Sequence, residues 1–187
     1  MRKEIEVKAK INSIKEIITK LKKLGCKMSK PIIQEDVIFA NYSGPFTKHH
    51  PGENILRIRK ADGKILFTVK QSQKNELDAI EHEIEVEDAK ELRSILEMLG
   101  YKEEVRVNKT RIKTNYSGWE ICVDDVKGLG NFMEVEELTD EKANGEEVQE
   151  KLFVFLETLG IKRKDRVMNG YDTLMYSKIH KIILVEC

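Results

Sequence analysis

A chain of 187 residues that is 40% hydrophobic carries enough apolar material for one domain with a substantial core. Its 33 Lys and Arg balance its 33 Asp and Glu, a formal net charge of zero, which removes the usual electrostatic case for binding nucleic acid or an anionic membrane surface. Cys26, Cys122 and Cys187 are odd in number and far apart, so they form neither a disulfide framework nor a zinc motif. The N-terminus enters a charged strand rather than a signal peptide, and no apolar run approaches the roughly 20 residues of a membrane span; a soluble, cytoplasmic protein is expected.

Residues 2–10 alternate strictly and read as a strand, with Ile5, Val7 and Ala9 on one face and Glu4, Glu6, Lys8 and Lys10 on the other. Asn12-Ser13 can cap a helix whose apolar positions Ile14, Ile17, Ile18, Leu21 and Leu24 recur at helical spacing up to Gly25. A second strand is predicted over 32–39, with Gln34, Asp36 and Ile38 on one face. The stretch 43–52, with two prolines and two glycines, reads as a surface loop, and the adjacent His49 and His50 diverge too far to share a metal. Strands over 55–60 and 64–71 flank Asp62-Gly63, a strong hairpin signal that brings Arg57, Arg59 and Lys70 onto neighbouring strands.

After a polar connection over 71–78, expected to be mobile, a strand carries Glu81, Glu83 and Glu85 on one face. It leads into a helix capped by Asp88, with Leu92, Ile95, Leu96 and Leu99 before Gly100. Strand, helix and glycine thus occur twice, at 2–25 and 81–100, which hints at an internal duplication. A hairpin over 102–114 and 119–126 follows, then a strand over 131–138, a helix over 141–159, and a last helix after Asn169-Gly170 with Tyr171, Leu174 and Met175 on its buried side. The resulting expectation is an α+β fold, an eight-stranded antiparallel sheet closed into a barrel with a charged interior and flanking helices. One domain is expected over 1–178, with a short tail over 179–187.

Charged stripes recur on strand after strand. Two guanidinium groups share a face at Arg57 and Arg59; Lys109 and Arg111 repeat the basic version, and Glu120 with Asp124, and Glu134 with Glu136, the acidic one. Carboxylates two residues apart on a strand lie roughly 7 Å from each other and repel by about 2 kcal/mol at moderate dielectric. Acidic stripes facing a shared interior need cations and basic ones need anions. A polyphosphate carrying divalent metal ions meets both demands.

With these stripes, most of the chain resembles the CYTH superfamily of triphosphate tunnel metalloenzymes, which unites class IV adenylyl cyclases, thiamine triphosphatases and inorganic triphosphatases. The signature E-x-E-x-K is Glu4, Glu6 and Lys8; Q-x-D-x-x-F is Gln34, Asp36 and Phe39; R-x-R is Arg57 and Arg59. Lys70 matches the lysine ending the fourth strand, Glu83 and Glu85 the fifth-strand E-x-E, and Lys109 and Arg111 the K-x-R. Asp124 is the acid before the Gly-Leu-Gly turn, and Glu134 and Glu136 close the series. Two positions depart from the family pattern. Ala79, Ile80 and Glu81 stand where an arginine or lysine often precedes the acid pair, and Gly170-Tyr171 replaces a common Ser-Tyr.

The resemblance implies that Lys8, Arg57, Arg59, Lys70, Lys109 and Arg111 bind phosphates. By the same resemblance Lys8, Lys70 and Asp124 belong to the reacting centre. Glu4, Glu6, Glu134 and Glu136, and secondarily Glu83, Glu85, Glu120 and Asp124, are implied to serve Mg²⁺ or Mn²⁺. The run from Asp124 to Glu136 is most similar to the adenylyl cyclase branch, implying conversion of ATP to cyclic AMP and pyrophosphate. Hydrolysis of inorganic triphosphate, thiamine triphosphate or a nucleoside triphosphate is the alternative, and a non-catalytic polyphosphate-binding barrel the third. The expected partner is a triphosphate-bearing small molecule, with neither nucleic acid nor membrane; a homodimer is compatible with the sequence.

Overall fold

A computed structural model describes residues 2–41 and 46–184, with the side chain of Arg2 excepted. In chain order the elements are β1 (Arg2–Lys10), α1 (Ile14–Lys23), β2 (Ile32–Ala40), β3 (Asn54–Ala61), β4 (Lys64–Ser72), β5 (Asp78–Val86) and α2 (Ala89–Met98). They continue with β6 (Lys102–Tyr116), β7 (Trp119–Val126), β8 (Gly130–Asp140), α3 (Gly145–Thr158), the two-residue β9 (Arg166–Val167) and α4 (Tyr171–His180). The strands pair in the order β5-β4-β3-β2-β6-β7-β8-β1, and β1 closes the ring by pairing with β5. Every pairing is antiparallel, so the expected closed barrel of eight strands is what forms, with β9 added outside on β1. None of the helices among the described residues is long and apolar enough to cross a membrane.

Two-residue turns set the register of the hairpins. Asp62 and Gly63 take φ of 49° and 75°, and Ser117 and Gly118 take 52° and 86°, positive values at both central positions that match the twist of the flanking strands. Arg57 therefore faces Thr68, and Ile55 faces Lys70. The turn at Ser117-Gly118 lets β6 run on to Tyr116, two residues beyond the predicted end.

The larger part of the core lies outside the barrel. Outward-facing Val7, Ala9, Ile121, Val123, Met133 and Val135 are buried under Ile17 and Leu21 of α1 and Leu152, Phe153 and Leu156 of α3. A second cluster closes one end of the barrel from within, where Tyr171 and Met175 of α4 pack with the inward-facing Ile38, Val105, Val107 and Phe132, while α2 covers Phe39, Leu56 and Ile58 from outside through Leu96. Because the helices supply most of the apolar cover, the rest of the barrel interior is left largely to polar side chains. Exchanging β1–β4 with β5–β8 maps the ring onto itself, and α1 and α2 each follow the first strand of a half and end at Gly25 and Gly100, with φ of 85° and 88°. That is the geometric form of the suspected repeat.

Three expectations change. The connection over 71–78 is anchored rather than mobile: the Leu77 carbonyl accepts from Glu6 N at 2.9 Å, the Asn75 amide donates to Gln149 at 3.1 Å, and Leu77 and Asp78 are buried. The third helix begins at Gly145, capped by Asn144, instead of at residue 141. Its glycine is required, because a Cβ there would lie 2.3 Å from Oδ2 of the buried Asp78, which Lys3 Nζ holds at 2.9 Å. In the stretch 43–52, residues 43–45 lie outside the described residues, but Phe46 is buried against Tyr176, ring centroids 4.9 Å apart. Cys26 and Cys122 are buried free thiols; Cys187 lies outside the described residues.

Candidate active site

Positions of one parity on the strands point inward and line a cavity of about 420 Å³. The structure brings to this wall Glu4, Glu6, Lys8, Arg57, Arg59, Lys70, Glu83, Lys109, Arg111, Glu120, Glu134 and Glu136, all the expected site residues except Glu85 and Asp124. Glu85 is on the right face of β5 but too near the rim, where it pairs with Lys64 at 2.7 Å in the open. Asp124 is fully buried behind the wall, gripping Arg111 at 2.8 and 2.6 Å; it positions the guanidinium and does not itself face the cavity.

Glu4, Glu6 and Glu136 form an acidic trio, each offering a carboxylate oxygen, with all three oxygens within 4.8 Å of one another. Cross-strand pairing of Glu6 with Glu136, and of Glu136 with Glu120, sets this up. Burial, then Glu81 and Glu6, pushes the Glu4 carboxyl up to about 7. Burial, then Glu4, Glu120 and Glu6, pushes Glu136 up to about 9. The like charges are only partly relieved, by Lys8 Nζ at 3.3 Å from Glu6 and by Lys70 and Arg57 on the side of Glu4. Glu134, expected beside Glu136 in the same role, is diverted: it bridges Arg111 and Lys8, the latter at 3.3 Å. Against the penalty of burial, those cations hold its carboxyl well below the usual range.

The cations fall into two groups. Asp36 grips Arg59 at 2.7 and 2.8 Å and Lys109 at 3.2 Å, which repeats across β2 and β3 the Asp124–Arg111 clasp of β6 and β7. Burial, with Arg59 and Arg111 nearby, pulls Lys109 down to about 8 despite Asp36. Lys8 is held by the Asn169 carbonyl at 3.1 Å as well as by its carboxylates. These four cations are buried and oriented by acids built into the wall. Arg57 and Lys70 form the second group, less deeply buried and facing β5: Arg57 donates to Glu81 at 3.0 Å, Glu83 at 3.3 Å and Thr68 at 3.0 Å, and Lys70 lies 3.7 Å from Glu81.

Tyr171, the first residue of α4, closes one end. Its hydroxyl donates to Asp124 Oδ2 at 3.0 Å, and its ring lies 4.3 Å from Lys8 Nζ and 5.1 Å from Lys109 Nζ. Sequence reasoning placed Glu81 on the acidic stripe but gave it no role in the site, and it missed Lys113 as a wall residue. The signal was present in both cases. Glu81 has the parity of Glu83, and Lys113 is the next inward step after Arg111; there it pairs with Glu120.

Comparison with known proteins agrees with this geometry. The CYTH domain family model matches residues 2–171. A protein of Methanocaldococcus jannaschii, named provisionally as an adenylate cyclase, is 32% identical over 170 residues, covering 90% of this chain and 95% of that protein. A solved structure from Pyrococcus horikoshii is 31% identical, with a TM-score of 0.77, covering 94% of this chain and 99% of that one. A Hippeastrum protein, described as an adenylyl cyclase candidate with a dominant triphosphatase activity, shares the fold at a TM-score of 0.56 and 19% identity, covering 91% of each chain.

Proposed function

The chain belongs to the CYTH family, and on that premise we propose that it is a metal-dependent enzyme of triphosphates, converting ATP to cyclic AMP and pyrophosphate. The observation that carries this reading is the juxtaposition, in one cavity, of the Glu4–Glu6–Glu136 trio and the cation-lined wall. The donor set is all carboxylate, which fits hard Mg²⁺ or Mn²⁺ and not a thiophilic ion. A bound divalent ion would neutralise charge on the phosphate oxygens and orient the chain of phosphates. Glu4, Glu6 and Glu136 would hold it, with Glu120 and Glu83 at the margins.

The residues of the chain do the rest by placement. Arg59, Lys109, Arg111 and Lys8, locked by Asp36, Asp124 and Glu134, form a preorganised surface for phosphate oxygens. Lys8 and Lys70 lie on the side of the trio and would meet the phosphate under attack. The name of the 32% identical relative favours the cyclase reaction.

A second reading, hydrolysis of the triphosphate by water, is favoured by the wall itself. Its apolar members are Ile38, Ile55, Val107 and Leu138, and Tyr171 is its aromatic residue, a sparse surface for a nucleobase. Incubation with ATP, inorganic triphosphate and thiamine triphosphate, each with Mg²⁺ and with Mn²⁺, decides between them. Cyclic AMP and pyrophosphate mark the first reading, orthophosphate with a diphosphate product the second. Tight binding without any product would refute both and leave a binding barrel.

A further inference from the structure

Among the cavity's cations, Arg57 and Lys70 are partly accessible, their side chains 21% and 26% exposed, as is Lys113 at 36%, which Glu120 holds; Lys8 is 2% exposed, Lys109 3% and both Arg59 and Arg111 8%. Arg57 and Lys70 stand on the neighbouring strands β3 and β4 and form one clamp. Both already have an anion. One oxygen of Glu81 lies 3.0 Å from Arg57 Nη2 and the other 3.7 Å from Lys70 Nζ, so the carboxylate spans the pair much as two oxygens of a phosphoryl group would. Glu83 differs: it is 39% exposed, reaches Arg57 at 3.3 Å and not Lys70, and has a second donor in the Thr68 hydroxyl at 2.8 Å.

We infer that Glu81 is an internal latch on the phosphate clamp, which yields Arg57 and Lys70 only to a triphosphate that arrives with a divalent cation. The inference rests on the triphosphate reading above and adds to it a basis for selecting the metal complex over the free anion. Lys70 and Glu81 are direct cross-strand partners, and Ala79, the preceding inward position on β5, faces Glu4 on β1. Glu81 therefore stands between the clamp and the acidic trio. A free triphosphate that takes Arg57 and Lys70 would leave the Glu81 carboxylate unpaired beside Glu4, Glu6 and Glu136, in a partly buried site that already holds like charges. A triphosphate carrying Mg²⁺ or Mn²⁺ would place two positive charges at the trio, and the released carboxylate would then face a cation instead of a metal-free cluster of acids. The exchange is between ion pairs, with no bond made or broken.

The test compares wild type, E81Q and E83Q for binding of tripolyphosphate by calorimetry, first in chelator and then with Mn²⁺, with melting curves confirming that each variant is folded. E81Q should bind tripolyphosphate in chelator about tenfold more tightly than wild type, since the amide neither competes for the clamp nor is stranded when displaced. With Mn²⁺ the advantage should fall to about threefold or less. E83Q should show little gain in either condition. Equal or weaker binding by E81Q in chelator overturns the latch, and an equal gain in both conditions overturns its dependence on the cation. Failure of wild type to bind tripolyphosphate with Mn²⁺ refutes the triphosphate reading instead; the chelator comparison between E81Q and wild type decides the latch whatever that result.

Discussion

Replacing Glu136 with glutamine should stabilise the metal-free protein while destroying its metal site. In the folded chain burial and the carboxylates of Glu4, Glu120 and Glu6 push the Glu136 carboxyl from 4.5 to about 9. A carboxyl raised in this way contributes stability that is fully present below pH 4.5 and is lost as pH rises through about 9, because the folded state holds a proton that the unfolded chain releases. At pH 7 the difference from 4.5 corresponds to about 3 kcal/mol at 1.36 kcal/mol per unit, and solvent at the half-buried carboxylate reduces this to about 2 kcal/mol. Glutamine is neutral in both states and removes the loss, worth roughly 4 to 8 °C in Tm for a chain of this size. Thermal melts in chelator at pH 5, 7 and 8.5 should show the two proteins converging at pH 5 and E136Q melting higher at pH 7 and above. Saturating Mn²⁺ should reverse the order, since wild type gains by binding and the variant has lost a ligand. A metal-free E136Q that melts below wild type at pH 8.5 would refute the argument that the trio is held together against its own repulsion.

Arg57→Ala should weaken triphosphate binding by about tenfold or more and also cost about 1 to 3 kcal/mol of stability, because it strips Glu81 of its nearer partner. In the double variant with Glu81→Gln the stability loss, read from melting curves, should largely disappear while the binding loss remains. Gly145→Ala should lower stability by about 1 to 3 kcal/mol, since the new methyl falls 2.3 Å from Asp78 Oδ2; activity per folded molecule should be retained, and a Tm equal to wild type would show that Asp78 can move. Tyr171→Phe removes a hydroxyl that donates to the buried Asp124 carboxylate at 3.0 Å, costing about 1.5 to 3 kcal/mol. The ring under Lys8 stays, so KM should change less than Tm, and the reverse ranking would make Tyr171 a substrate contact.

Strand parity makes most of the cavity legible in the sequence, because alternation is a covalent property of an extended chain. It assigns Glu4, Glu6, Lys8, Arg57, Arg59, Lys109 and Arg111 to one interior, and turn chemistry at Asp62-Gly63 places Lys70 beside them. Depth along each strand is not legible, since parity says which face a residue occupies and not how far from the rim it sits. The motif pairs Glu83 with Glu85 on the fifth strand, whereas register with β4 sets Glu83 against Thr68 and Glu81 against Lys70, leaving Glu85 with Lys64. Pairing preferences between inward charges are equally hidden. Glu134 and Glu136 are two residues apart on one strand, yet one carboxyl is held down by Arg111 and Lys8 and the other is pushed up by Glu4, Glu120 and Glu6.

That divergence follows from how the ring closes. β8 lies between β7, with which Arg111 of β6 communicates through Asp124, and β1, which brings Glu4 and Glu6. Glu134 sits at the level of Lys8, and Glu136 one inward step further, at the level of Glu6. A sign change in the β1 stripe, from two glutamates to one lysine, is thus copied onto its neighbour as a change in protonation. The wall is divided lengthwise into a part where every acid has a base in direct contact and a part where three acids crowd together with one direct ion pair, Lys8 to Glu6, at the edge. Only the second part has an unmet demand for charge. Without metal a proton meets it in part, and a divalent cation would meet it with two charges in place of that proton, which is why metal affinity should track the Glu4–Glu6–Glu136 trio while Asp36, Asp124 and Glu134 govern the shape of the phosphate wall.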